Sequence, residues 1–258
     1  MKSNFFKSLL LRFLILIGVI TSLIPSKFKS QFVRGVVLLA GYSSKPKKDL
    51  LQLLLIKDEL EKIINNRALA YGNGEHPKHY LTNYHHFFVD NIENGEKVID
   101  VGCGYGSVSR SIAFAKPDSV VLGVDNDLPR LSQALKSNNP KNLTFEYGDA
   151  TNKIYNHSWD VVVLSNVLEH IEHRISFLKL LSTNTKAKKI LIRVPNYERD
   201  WQVPLRKELR MNYFSDDDHK IEHTPTELQN EIRLSNLEII ELSTQWGEIW
   251  AICKPILK

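Results

Sequence analysis

The chain is poor in sulfur and uneven in charge: its 258 residues include two cysteines and two methionines, and no acid precedes Asp49. Cys103 lies inside a glycine-rich loop and Cys253 far downstream, so a disulfide framework is excluded and a reducing, cytoplasmic compartment is expected. No apolar run reaches the ~20 residues that span a bilayer. The longest, Leu9 to Ile24, has 16 residues and is interrupted by Arg12. Internal repeats and low-complexity tracts are absent. What remains, at 29.7 kDa and 43% hydrophobic residues, is enough for one α/β domain with appendages.

The missing acids change the meaning of the net charge. Nine of the 34 Lys and Arg residues fall within 1–48, and the other 25 face all 29 acids. The formal +5 therefore belongs to the N-terminal extension, and a body with a net excess of acids is not an obvious nucleic-acid binder. The extension mixes apolar runs with bases and continues through Pro25 into the basic Ser26–Lys29. That pattern suits a helix lying on an anionic membrane surface, peripheral on its inner face. Two other readings stand beside it: a signal peptide, for which no small-residue cleavage site is evident, and a helix packed on the fold or on a second copy.

The most informative stretch is Val98 to Ser109. Val98, Ile99 and Val101 form a short β-branched strand, Gly102, Gly104 and Gly106 a loop, and Ser107 to Ala115 a helix. A dinucleotide fingerprint needs G-x-G-x-x-G with a pyrophosphate on the helix N-terminus. Here the spacing is G-x-G-x-G with Asp100 just before it. A carboxylate there repels a pyrophosphate and suits a ligand carrying an ammonium and a sulfonium, which points to S-adenosylmethionine.

Three further strands follow in order. Val120 to Asp125 ends in an acid placed for ribose hydroxyls, and Leu143 to Ala150 ends in Gly148-Asp149, where a carboxylate can accept an adenine amino group. Trp159 to Leu164 leads into Ser165-Asn-Val-Leu-Glu-His170. Each acid taken singly reads as a turn residue; the ordered series does not. From about Glu96 to Cys253 the chain resembles the class I S-adenosylmethionine-dependent methyltransferases. The resemblance implies a Rossmann-like α/β fold with a seven-stranded sheet, mostly parallel with an antiparallel last strand, preceded by N-terminal helices. It also implies a cofactor site of Asp100, Gly102, Cys103, Gly104, Asp125, Asn126, Asp149, Ala150, Ser165 and Asn166.

The remaining elements fit that plan. Asp49 to Ala70 and Pro77 to Ile92 read as helices, the second carrying His79, His85 and His86 as packed structural residues. Leu128 to Ser137 and Val167 to Ser182 are helical in pattern, and Lys189 to Arg193 is the fifth strand. Thr224-Pro-Thr-Glu227 is a capping-box start. Leu237 to Leu242 and Trp246 to Cys253 pair as the last strands. The expected division is an extension over 1–48, a helical cap over 49–92 and the methyltransferase domain over 93–258.

Methyl transfer from a sulfonium is an in-line displacement, so the protein must align the nucleophile and, for a hydroxyl, help remove its proton. No Asn-Pro-Pro-Tyr motif follows strand four, which lowers the weight of a nucleobase nitrogen as acceptor. Asn166, Glu169 and His170 share one face if that segment is helical. Val167-Leu-Glu-His170, Val194-Pro-Asn-Tyr197 and Asp218-His219-Lys220 together resemble the small-RNA 2′-O-methyltransferases. That resemblance implies Glu169, His170 and His219 as ligands of a divalent metal, with Asn166 where that family has a glutamate. Otherwise His170 or His219 serves as a metal-free base. Trp201 and Tyr213 are candidates for stacking on an acceptor, and His173 and His223 read as surface residues. The expected activity is O-methylation of a hydroxyl on a small-molecule, glycan or lipid-linked acceptor. The alternatives are ribose 2′-O-methylation of RNA with a metal, and a non-catalytic cofactor-binding interaction protein.

Overall fold

The structure is a computed structural model that describes residues 24–73, 76–152 and 158–256. Most of the apolar run expected as an extension helix, up to residue 23, lies outside the described residues. The chain divides into two units, residues 1–76 and 77–258, so the helices around Tyr84 group with the sheet rather than with the helix before them.

The first unit holds α1 (Ser26–Gly41) and α2 (Pro46–Tyr71). Pro46 opens α2 at a position where its missing N–H is harmless. The connection is fixed by Asp49, whose two carboxylate oxygens accept from the Ser43 amide and hydroxyl at 2.6 and 2.7 Å. Gly72 ends α2. Among the described residues no helix is long and apolar enough to cross a membrane.

The second unit opens with α3 (Lys78–Thr82) and α4 (His85–Asp90). The sequence predicts one helix from Pro77 to Ile92. Asn83, in the left-handed conformation at φ +52, breaks it into two short ones. Then come β1 (Lys97–Val101), α5 (Ser107–Ala115), β2 (Val120–Asp125), α6 (Leu128–Lys136), β3 (Leu143–Tyr147) and β4 (Val161–Ser165). A further stretch brings α7 (Arg174–Thr185), β5 (Lys189–Pro195), α8 (Gln202–Glu208), α9 (Pro225–Leu234), β6 (Leu237–Gln245) and β7 (Glu248–Pro255). The helix expected from Val167 begins only at Arg174, because Asn166 turns left-handed at φ +58 and a single 3₁₀ turn, Leu168–His170, follows.

The seven strands lie in the order β3-β2-β1-β4-β5-β7-β6. Pairing is parallel from β3 through β5, and β7 runs antiparallel to both neighbours. The inner strands β1, β2, β4, β5 and β7 are largely buried on both faces and alternate between two cores, whereas the edge strands β3 and β6 are mostly exposed. Ile99, Val101, Val162, Leu164, Ile190 and Ile192 pack on α7 and α9 through Leu178, Leu181, Leu228 and Ile232. Val98, Val161, Val163 and Leu191 pack on the other side with Phe88, Ile112 and Trp250. Strand order reverses between β1 and β4, and in such sheets ligands lie in the crevice at the carboxyl ends of the strands beside that switch.

Where α7 meets α9, burial of charge is compensated by pairing. Arg174 Nε donates to both oxygens of Glu231 at 2.8 and 3.0 Å, and His223 Nε2 lies 3.0 Å from Oε2. His223 is fully buried, which corrects its expected surface position. Burial opposes the Glu231 charge, but hydrogen bonds from His223 and Arg174 outweigh it and hold the carboxyl below its usual range. A group depressed in the folded state stabilises it above the unfolded pKa and loses that contribution as pH falls through the folded value. Glu231→Ala is expected to cost about 3–5 kcal/mol at pH 7, because it strands two buried partners. Denaturant unfolding at stepwise lower pH should show the gap between variant and parent narrowing in acid; a pH-independent gap would contradict this account.

Candidate active site

The site begins where β1 ends. The amides of Gly102 and Cys103 both donate to the Val124 carbonyl, at 2.8 and 3.1 Å, and the Gly104 amide donates to Asp125 Oδ2 at 2.7 Å. The other Asp125 oxygen accepts from the Asp127 amide at 2.8 Å. One carboxylate therefore joins the loops that follow β1 and β2. Gly106 sits at φ +71, and a Cβ there would overlap the Phe145 ring, so both backbone and space require glycine.

Two neighbouring hollows open over these loops and share Gly102, Arg130, Asn166 and His170. The first, about 450 Å³, is lined by Asp125, Asn126, Asp149 and Ala150 as well. The second, about 590 Å³, adds Asp100, Cys103, Gly104, Ser165 and His219. Every residue expected at the cofactor site thus borders one hollow or the other. Asp100 is buried on the α5 side, where its Oδ2 accepts from the Ser109 hydroxyl at 2.5 Å. Burial pushes its carboxyl up to about 7 despite that bond; an ammonium brought alongside would favour the ionised form. Asp149 is partly committed to its own turn, accepting from the Thr151 hydroxyl and amide, which hold it below the usual range.

Beside the second hollow three expected residues converge. Ligand-capable atoms of Glu169, His170 and His219 lie within 4.8 Å of one another. They meet through the 3₁₀ turn and the connection after β5, not on a helix face as the sequence suggests. Glu169 is completely buried with neither oxygen hydrogen-bonded, and burial pushes it up to about 8. His219 Nδ1 lies 3.0 Å from Glu222 Oε1, and Glu222 is itself held by Arg199 and by the Ser215 amide and hydroxyl. With Nδ1 donating to Glu222, Nε2 carries the lone pair. Burial lowers the His219 pKa, but the Glu222 bond and the Glu169 charge raise it further, for a net rise. His170 packs edge-on against His219 at 4.6 Å, with its Nδ1 3.1 Å from Asp218 Oδ2, close enough for an ion pair but not aligned as a hydrogen bond. Burial lowers its pKa.

Sequence reasoning missed the opposite wall. Arg193, buried on β5, is held bidentately by Glu248, donates to the Ser165 hydroxyl at 3.2 Å and sits 3.8 Å over the Tyr84 ring. Tyr84 in turn meets His79 Nδ1 at 2.8 Å. The signal was an arginine in an otherwise apolar strand, which is buried only when paired. Trp246 lines the larger hollow, 66% exposed, at φ +54 in the two-residue turn between β6 and β7. Its signal was a residue-glycine pair between two strands. Trp201 and Tyr213 line neither hollow.

The loop geometry separates two glycines. Gly104, at φ +54 with nothing near its missing Cβ, should tolerate alanine at about 1–2 kcal/mol for the left-handed conformation alone. Gly106→Ala should lower Tm clearly more, because it adds the overlap with Phe145. Equal losses in thermal melts would overturn this description of the loop.

The model of the methyltransferase domain family matches residues 74–242. Phosphoethanolamine N-methyltransferase 1 from Zea mays is 31% identical over 122 residues, covering 46% of this chain and 23% of that protein. Ubiquinone biosynthesis O-methyltransferase from Actinobacillus pleuropneumoniae serotype 7 (strain AP76) is 33% identical over 93 residues, covering 33% of this chain and 39% of that protein. The chain therefore matches less than two-fifths of the length of either relative. The crystal structure of the small RNA methyltransferase HEN1 shares the fold, with a TM-score of 0.57 and 19% identity over 70% of this chain and 25% of that one. The match spans most of the chain and takes in the glycine loop and strands β1 to β5: the chain belongs to the methyltransferase domain family and carries a Rossmann-like methyltransferase fold.

Proposed function

We propose that this protein transfers the methyl group of S-adenosylmethionine to a hydroxyl of a polar acceptor, such as a glycan or a lipid-linked sugar. The observation that carries the reading is the convergence of Glu169, His170 and His219 beside the hollow that borders the glycine loop. In this assignment Asp100 faces the ammonium of the donor, Asp125 its ribose, and Asp149 and Ala150 its adenine, while Asn166 forms the floor. The larger hollow is bordered by Lys78, Arg193, Arg199, Asp216 and Glu248 as well as the histidines, a lining suited to hydroxyls and charges. His219, with Nδ1 held by Glu222, takes the acceptor proton on Nε2 as the oxygen attacks the methyl carbon in line with the departing thioether.

The same three residues have the chemistry to hold a divalent cation. Glu169 offers two buried oxygens without a protein partner, and two imidazoles stand beside it. A bound cation would lower the pKa of the coordinated hydroxyl. Asn166, whose buried Oδ1 is also unpartnered, supplies a neutral donor where a fourth ligand would be anionic in the small-RNA methyltransferases. This trio favours an RNA ribose hydroxyl as the second reading.

Calorimetry with S-adenosylhomocysteine should show Asp125→Ala binding more weakly by about 1–3 kcal/mol, from the loss of its hydrogen bonds. His219→Ala should leave that affinity unchanged while slowing transfer by about 10²–10⁴-fold. Labelled methyl from the donor, incubated with cell fractions, should follow a polar or lipid-linked glycan on organic extraction. Label in RNA would select the second reading, and binding without label in any fraction would leave a non-catalytic cofactor-binding protein. Chelator-treated protein that turns over at the full rate would remove the cation and leave His219 as the base.

A further inference from the structure

We propose that the first unit docks on an anionic lipid surface through α1, an inference independent of the acceptor assigned above. Phe28, Phe32, Val36 and Leu39, at spacings of four, four and three, fall on one face of α1. They are 63%, 74%, 50% and 88% exposed. The opposite side of the helix holds Val37 and Gly41, its half-buried positions, and Gly41 faces Leu53 of α2 so closely that a Cβ would overlap it. The apolar stripe therefore points away from the contact that joins the two helices. No residue of α1 is buried.

Charge selects the occupant. Helix α1 carries Lys27, Lys29 and Arg34 and no acid, and Lys45, Lys47 and Lys48 follow before the first acid, Asp49. Asp49 is already taken up by Ser43. A second copy docking stripe to stripe would bring together two α1 helices that carry bases and no acid. A bilayer rich in anionic headgroups accepts the bases while the stripe enters the acyl boundary, the arrangement of interfacial helices. Sixteen residues extend about 24 Å, short of the ~30 Å hydrocarbon core, so α1 lies flat rather than crossing.

The test is sedimentation of the full chain with phosphatidylglycerol–phosphatidylcholine vesicles and with pure phosphatidylcholine vesicles. Partition should favour the anionic vesicles and weaken as salt is raised. A triple variant, Lys27→Gln, Lys29→Gln and Arg34→Gln, should bind about 100-fold more weakly, from roughly fivefold per charge near the surface. Phe32→Ser with Leu39→Ser should lose at least about tenfold from the buried apolar area. Both variants alter exposed positions and should retain the parent's S-adenosylhomocysteine affinity, which serves as the folding control. No partition of the parent chain, equal partition on both vesicle types, or stripe-variant binding equal to the parent's would overturn the proposal. So would a dimer in sedimentation velocity that the stripe variant alone converts to monomer, because a second copy would then cover the face.

Discussion

The architecture of the site rests on one carboxylate. Asp125, at the end of β2, accepts one hydrogen bond from the glycine loop after β1 and one from the turn into α6. With the two amides that reach the Val124 carbonyl, it fixes a loop whose own residues supply little packing. Everything that borders the two hollows is then referenced to a parallel strand pair buried on both faces. The loop is held by hydrogen bonds to the chain's own Val124 and Asp125. Pre-organisation of this kind keeps the ordering cost out of the binding step.

A second principle runs through the half of the sheet beyond β4. Arg174 with Glu231, Arg193 with Glu248 and Arg199 with Glu222 are each largely buried pairs. Buried pairs add little net stability, since desolvation offsets most of the attraction. What they do here is geometric. Glu222 fixes the ring of His219, Glu248 fixes the guanidinium that lies over Tyr84, and Glu231 ties α9 to α7. The polar residues of the larger hollow are thus oriented by partners behind them.

Much of this was legible in the sequence, for physical reasons that also mark where reading failed. Val98, Ile99 and Val101, Val121 and Val124, and Val161 to Leu164 are β-branched or apolar because their strands are covered on both sides. A glycine at a loop position such as 106 is dictated by backbone and by Phe145. The capping box at Thr224 is a local signal and forms as written. Failures came where a distant partner overrides local pattern. Asn83 and Asn166 adopt left-handed backbone inside stretches that look helical. His223 looks like a surface residue until Glu231, eight positions on, is folded against it. Arg193 gains its meaning from Glu248, which joins it only through the antiparallel pairing of β5 and β7. The trio of Glu169, His170 and His219 was foreseeable only by resemblance, because 48 residues of chain lie between its last two members.

That antiparallel pairing has a consequence for biogenesis. Strand β7 is inserted between β5 and β6, although it follows both in the chain. On the ribosome, β5 therefore emerges with the backbone N–H and C=O groups of its outer edge lacking their final partner until β7 is made. Non-local pairing of this kind is slow and leaves nascent material adhesive. Synthesis of β7 thus completes the sheet and the Arg193–Glu248 pair at one stroke, so a truncated translation product would expose the same outer edge that the finished protein conceals.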